Sequence, residues 1–268
     1  GNSATPTIVP TSQKMNAAFT YSSVALTIGN IQEASSFTDD ANASSPVLLR
    51  VSMAERNPSA TTVFLSYSDN FRLILPDGTS VVPTNELNGG GIDQAVNRQN
   101  WIDFPLTSRV DINKLTLHIG APTEAQMSIP LTANADVSKY QDKTVSPNSS
   151  FQYAGLHWIL TTATSSLSSV GKQATTGMRY VTVTFKVDNP TSSDYYPSFD
   201  SYIRLTEGSS VNPPTSTTFS GSFVAGTTGK TGTVTFLAPQ TGGSFTLTML
   251  PRTDITPPAT QVTQTFQL

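Results

Sequence analysis

The stretch Arg179-Tyr-Val-Thr-Val-Thr-Phe-Lys-Val-Asp-Asn-Pro190 decides the fold of this chain. Apolar residues occupy every second position from Val181 to Val187, which is the period of a β-strand with one buried face. Asn189-Pro190 ends the strand, because proline has no N–H for a strand ladder and restricts the residue before it. The earlier stretch Val47-Leu-Leu-Arg-Val-Ser-Met-Ala-Glu-Arg-Asn-Pro58 has the same design, and the two prolines are separated by 132 positions.

The composition indicates an all-β protein. Hydrophobic residues make up 37% of the 268 positions and charged residues only 12%, while serine, threonine, 17 glycines and 18 prolines fill the difference. Disordered chains are usually charge-rich and poor in aromatics, whereas this chain has few charges and 9% aromatics. No long stretch repeats its apolar residues with helical spacing, so many short strands with polar turns are expected.

Several protein classes are excluded by charge, hydropathy and residue types. The net charge of −3 comes without any cluster of lysine or arginine, so we expect no nucleic-acid partner. No apolar run approaches the ~20 residues that span a bilayer, which predicts no transmembrane segment in this chain. The absence of cysteine excludes disulfides, thiolate metal sites and cysteine nucleophiles.

The N-terminal stretch predicts an exported protein. Residues 1–14 are small, hydroxylated and proline-rich, which is typical of an extended tether. Such a stalk often follows a removed signal peptide or a lipid-anchored cysteine, so we expect a lipid or membrane tether upstream of Gly1. The expected location is extracellular or anchored at a bacterial cell surface.

The 132-residue offset recurs along most of the chain and indicates an internal duplication. Phe19–Ile28 and Phe151–Leu160 keep it through their apolar positions, and we expect each segment to be a strand facing a core. Phe104 and Phe236 keep it near the end of each copy. Each copy has about seven strand-like segments, as in a β-sandwich. The predicted organisation is a tether over 1–14, a sandwich over 15–132, a linker over 133–146 and a second sandwich over 147–268.

The strand motif resembles one known class of domain. Val-x-Val-x-Phe-x-Val-x-Asn-Pro-[Ser/Thr], followed by a Phe-x-Leu-like strand and a glycine turn, is similar to immunoglobulin-like domains of bacterial cell-surface lipoproteins, many of them without an assigned function. The resemblance covers both copies and implies two tandem immunoglobulin-like antiparallel β-sandwiches in a membrane-tethered, non-enzymatic protein. The first copy departs from the motif, with Glu55-Arg56 where the second has Val187-Asp188.

No catalytic constellation is present in the sequence. A serine hydrolase would need a Gly-x-Ser-x-Gly elbow or an equivalent, and none occurs. Gly89–Gly91 lacks the lysine and helix of a phosphate-binding loop. His118 and His157 are the only histidines and have no zinc-site spacing. We therefore expect no catalytic residues, no bound metal, no cofactor and no enzymatic activity.

One loop of the second copy is the candidate functional segment. Tyrosines on a rigid scaffold offer a large contact area at small entropic cost, so its aromatic residues suit sugar or peptide binding. The alternative is that two or three of them plug the open end of the sandwich. The candidate ligand-contact residues are Asp194, Tyr195, Tyr196, Phe199, Asp200 and Tyr202.

Calcium is a second interpretation of the same loop. Asp188, Asn189, Asp194 and Asp200 flank it and carry the oxygen ligands that Ca²⁺ takes, although solvated turn carboxylates are the simpler interpretation, since no Asp-x-Asp-x-Asp-Gly loop is present. The overall prediction is a non-catalytic binding or structural module that presents loops or sheet edges to a protein or glycan partner. The alternative is a carbohydrate- or calcium-dependent binding region of a larger secreted protein.

Overall fold

Strands dominate the computed structural model of the chain, which describes residues 9–40 and 45–268. The prediction of an all-β protein is confirmed, since antiparallel strands form several sheets and only short helical turns accompany them. The chain divides into two units. Unit 1 comprises residues up to 141 together with 168–176, and unit 2 comprises 142–167 together with 177–268.

The elements up to residue 141 are as follows. They are β1 (Thr11–Tyr21), β2 (Val24–Ala34), β3 (Val47–Arg56), β4 (Val63–Phe64), α1 (Tyr67–Asn70), β5 (Phe71–Ile74), β6 (Ser80–Val81), β7 (Asn85–Glu86), β8 (Gly91–Ile92), β9 (Asn97–Leu106), β10 (Thr116–Ile119) and β11 (Met127–Pro130), with 3₁₀ turns at Ile112–Lys114 and Ser138–Tyr140.

The remaining elements follow in chain order. They are β12 (Lys143–Val145), β13 (Ser149–Tyr153), β14 (Leu156–Ser166), β15 (Ser168–Ser169), β16 (Lys172–Gln173), β17 (Met178–Asp188), α2 (Phe199–Tyr202), β18 (Ile203–Glu207), β19 (Ser210–Asn212), β20 (Pro214–Thr217), β21 (Lys230–Pro239), β22 (Ser244–Met249) and β23 (Val262–Gln267). β15 and β16 pair with each other and lie in unit 1.

Unit 1 has two main sheets. One has the order β1-β2-β3-β9-β7 and the other the order β11-β10-β5-β6. The consecutive strands β1, β2 and β3 lie side by side, whereas the constant-type immunoglobulin order places its strands B and C in different sheets. Leu49, Val51 and Met53 of β3 are buried, as the sequence predicts.

An ion pair is buried in unit 1 beside these apolar residues. Arg50 donates two hydrogen bonds to Asp103, from Nε to Oδ1 (2.8 Å) and from Nη2 to Oδ2 (2.7 Å). Its guanidinium also lies 3.8 Å from the centre of the Trp101 ring. Burial raises the pKa of Asp103 to about 6 despite Arg50, and the neighbouring carboxyl of Asp40 contributes in the same direction.

Unit 2 repeats the two-sheet arrangement. Its first sheet has the order β12-β14-β17-β21-β20, with β13 also paired to β14, and its second has the order β19-β18-β22-β23. Side chains from both sheets share one core, to which β17 contributes Val181, Val183 and Phe185 as predicted. Trp158 is fully buried in that core, as expected for an apolar position of the segment Phe151–Leu160 that faces a core.

The same local structures occur at the same offset in both units. The pairing of β2 with β3 aligns Leu26 with Glu55, and the pairing of β14 with β17 aligns Trp158 with Val187. Both pairings shift register at equivalent places, between Ile28 and Asn30 and between Leu160 and Thr162. The single-turn helices α1 and α2 also begin 132 positions apart.

The predicted single strands over Phe19–Ile28 and Phe151–Leu160 are wrong, because each is a hairpin. Ser22 and Ser23 have φ values of 48° and 66°, and Ala154 and Gly155 have 55° and 77°, so two left-handed residues reverse the chain in both copies. In the first hairpin, Tyr21 then faces Val24 and Phe19 faces Leu26 on the neighbouring strand. The apolar pattern therefore continues across the turn while the chain direction reverses.

Two predicted connecting segments contain regular structure. β1 begins at Thr11, so Thr11–Lys14 pair with β2 rather than form part of a tether. The first eight residues of the predicted tether lie outside the described residues. Within the predicted linker over 133–146, Tyr140 is buried and its hydroxyl contacts the backbone of Ser128, while Lys143–Val145 form β12.

Candidate functional site

Three connections of unit 2 converge around a cleft of about 560 Å³. They are the β13–β14 turn at 154–156, the loop at 191–196 that follows β17, and the loop at 252–257 that follows β22. Loops on a rigid β scaffold are the usual carriers of binding residues. The cleft is therefore the candidate functional site.

Asn189 holds the second of these loops in place. Its amide Nδ2 donates to the carbonyls of Ser193 (2.8 Å) and Phe223 (2.7 Å), and its Oδ1 accepts from the backbone N (3.1 Å) and the hydroxyl (2.6 Å) of Thr191. The side chain is 1% exposed, so these bonds are shielded from water. The Asn-Pro motif thus ends a strand and also shapes one wall of the cleft.

Arg252 and Asp254 form the charged part of the cleft. Arg252 donates through Nε (3.1 Å) and Nη2 (2.6 Å) to the two oxygens of Asp254, a bidentate pairing. These hydrogen bonds lower the pKa of Asp254 to about 2, so the carboxylate is ionised at neutral pH. Arg252 also donates to the carbonyl of Tyr196 (2.7 Å), which ties the two loops together.

The candidate aromatic loop is divided between the core and the cleft. Tyr195 and Phe199 are each 6% exposed, and their rings lie 6.5 Å and 6.3 Å from that of Trp158. These two residues plug the core, which was the alternative interpretation. Tyr196 is 65% exposed and lines the cleft.

The other candidates have separate positions. Tyr202 donates from its hydroxyl to Asp254 Oδ1 (3.1 Å) and so adds a hydrogen bond to the Arg252–Asp254 pair. Asp194 lines the cleft and accepts a hydrogen bond from the backbone of Ala225 (2.9 Å). Asp200 is exposed in α2 and does not line the cleft.

The predicted calcium ligands do not converge. Asp188 accepts from the backbone N of Gly229 and lies 3.5 Å from His157 Nδ1, while the side chain of Asn189 is fully engaged in the loop. Over 9–40 and 45–268, no group of three or more histidine or carboxylate side chains is arranged to hold a metal ion. The geometry gives the calcium interpretation no support.

Arg252, Asp254 and Thr256 are among the cleft residues that the sequence analysis missed. They lie more than 50 positions from the Tyr196 loop, and no local pattern marks them. The only sequence signal for this part of the cleft was the equivalence between the connection after β22 and the connection after β10 in the first copy. These three cleft residues could therefore be found only from the packing of the loops in the structure.

The groups around the cleft suit reversible binding. Hydroxyls of Ser192 and Thr256 can donate and accept hydrogen bonds, Asp254 supplies a carboxylate, and Tyr196 supplies an exposed ring. No family model, curated protein or solved structure matches this chain. Within the described parts of the chain, no helix is both long and apolar enough to cross a membrane.

Proposed function

We propose that this protein is a non-catalytic, bacterial-type extracellular or cell-surface binding module, which contacts its partner through the unit 2 cleft. Its two units are two immunoglobulin-like sandwiches related by duplication, with a strand order of their own. The observation that carries the proposal is the convergence of three loops around a cleft of about 560 Å³ that contains an exposed tyrosine and an ionised carboxylate.

Matching hydrogen bonds support the duplication. Asn57 donates to the carbonyls of Thr61 and Ile92 (2.7 Å each) and accepts from the backbone N and hydroxyl of Ser59, as Asn189 does with its own neighbours. Arg72 donates to the carbonyls of Ser68 and Phe71. Arg204 donates to the carbonyls of Asp200 and Ile203, which lie 132 positions later. Chance resemblance of alternating strands does not produce such side-chain networks.

A glycan ligand is the second candidate, favoured by one observation. Tyr196 is 65% exposed and lines the same cleft as Asp194 and Asp254, and an aromatic ring in a cleft with hydrogen-bonding groups is suited to a sugar ring. In this form the protein is a carbohydrate-binding region of a larger secreted protein.

The test is a binding screen of the full chain against a glycan array and a peptide array. Matched variants are Ser192→Trp, which fills the cleft, and Val211→Ala, which changes an exposed residue of β19 that does not line it. We expect a ligand that binds the natural chain and the β19 variant equally and loses most of its affinity for Ser192→Trp. Equal binding by all three proteins would rule out the cleft as the site.

A further inference from the structure

Unit 1 has a counterpart of the unit 2 cleft, and that counterpart is filled. Residues 168–176 lie in unit 1, where they contact the β1–β2 turn and the connection between β10 and β11. The turn at Ser22 and Ser23 is equivalent to the turn at Ala154 and Gly155, since both pairs are left-handed and 132 positions apart. The two places can therefore be compared group by group.

Backbone hydrogen bonds hold the segment against the connection after β10. Ala125 N donates to Ala174 O (2.7 Å), Thr176 N donates to Thr123 O (3.0 Å), and Glu124 pairs with Thr175 in an antiparallel bridge. Extended peptides that add to a strand edge are recognised in this way. Residues 174–176 thus occupy their place as an added strand does, and the β15–β16 hairpin precedes them.

Side-chain contacts fix the segment on the turn. The carboxamide of Gln173 accepts from Ser22 N (3.1 Å) and donates to Ala125 O (2.9 Å), and Gly171 N donates to Ser23 Oγ (2.9 Å). Ser22 is 7% exposed as a result. This end of unit 1 therefore holds the short β15–β16 hairpin and the extended stretch 174–176 that follows it, with one buried carboxamide.

The equivalent turn of unit 2 is open. Ala154 is half-buried and Gly155 is exposed, and both line the cleft. Arg252, in the connection after β22, pairs with Ala259 of the same connection instead of with an added segment. Residues 252–257 of that connection face the cleft.

We infer that the unit 2 cleft binds a short turn-forming polypeptide segment, rich in small hydroxylated residues and carrying a glutamine or asparagine, from another protein chain. The inference rests on the proposed function and names its partner class. A carboxamide at the Gln173 position can accept from the turn amide of Ala154 as it does from that of Ser22. The hydroxyl of Ser192 and the carboxylate of Asp254 are then available to the N–H groups of the bound segment.

The experiment is a titration of the isotope-labelled full chain, followed through its backbone amide resonances. The probes are a synthetic peptide with the sequence of residues 168–176, a library that varies each of its positions, and a set of soluble oligosaccharides. The chain's own residues 168–176 already fill the unit 1 site, so the added peptide reports on the open cleft of unit 2. A positive control replaces residues 168–176 with a glycine–serine linker of equal length, which exposes the unit 1 site to the same peptide.

We expect saturable shifts at 154–156, 191–196 and 252–257 with at least one peptide, and a dissociation constant raised about tenfold or more by Ser192→Trp. Val211→Ala should leave the constant unchanged. Shifts at these residues with oligosaccharides alone would overturn the peptide inference and leave the proposed function standing. No shifts with any probe, while the control chain binds the peptide in unit 1, would overturn both. Failure of the control chain to bind the peptide would remove the premise that this end recognises the segment.

Discussion

Replacing Asn189 with aspartate tests how the Asn-Pro motif builds the cleft wall. Asn189→Asp keeps the size of the side chain and the bonds from Thr191, but it replaces the donor to Ser193 O and Phe223 O with an oxygen. Phe223 O retains a second donor, Tyr195 N, and Ser193 O lies 2.9 Å from Thr191 Oγ1, whose single proton it shares with the side-chain oxygen at position 189. The loss is therefore close to ~1 kcal/mol per broken bond rather than the full cost of an orphaned carbonyl.

Repulsion adds to this loss. A carboxylate at a position 1% exposed would face two carbonyl oxygens that now lie 2.8 Å and 2.7 Å from the amide nitrogen. We expect a total loss of about 4 kcal/mol in the free energy of unfolding of unit 2. Protonation would restore one donor, so the pKa of the new carboxyl is raised on folding, and the loss should be smaller at pH 5 than at pH 8.

The assay is urea unfolding followed by the fluorescence of Trp158, in a Trp101→Phe background that leaves a single reporter. Asn148→Asp, an exposed position of the same unit, is the matched charge control and should change stability little. The account of the loop would be refuted if both variants unfolded at the same urea concentration.

Three further predictions concern the two cores and the buried segment. Trp158→Ser should lower the stability of unit 2 by at least about 4 kcal/mol, and a normal calorimetric transition would contradict the core position of Trp158. Gln173→Ala should cost unit 1 about 2 kcal/mol and speed the amide exchange of Ser22, because two buried bonds are lost; unchanged exchange would argue against the docked segment. The pKa of Asp103 is raised on folding from 3.8 to about 6. The stability that the protonated carboxyl contributes is therefore full below pH 3.8 and is lost as the pH rises through 6. The free energy of unfolding should fall by up to about 3 kcal/mol over this range. Urea midpoints at pH 4 and pH 7 measure this decline, which should be missing in Asp103→Asn.

Local alternation was enough to predict the strands that carry the motif. Val181, Val183 and Phe185 and their counterparts in β3 are buried as expected, because one face of a strand must be apolar wherever a sheet covers a core. The same period gave a wrong prediction at Ser22 and Ser23, since serine does not indicate a left-handed turn as glycine does. The spacing of three positions between the apolar residues Tyr21 and Val24, which breaks the period of two, was the available sequence signal for the hairpin.

The cleft depends on contacts between distant parts of the chain, which alternation cannot report. Tyr195 and Tyr196 are neighbours of the same type, yet one packs beside Trp158 and the other faces solvent. Arg252 reaches Tyr196 only through the packing of two loops. The place of residues 168–176 in unit 1 follows from hydrogen bonds that have no sequence signature.

The most direct test of the central claim is hydrogen–deuterium exchange of the full chain with and without the tightest ligand from the two arrays. If the unit 2 cleft is the binding site, protection should appear at 154–156, 191–196 and 252–257 and vanish in Ser192→Trp. Protection confined to other surfaces, or failure of both arrays to yield a ligand, would contradict the claim.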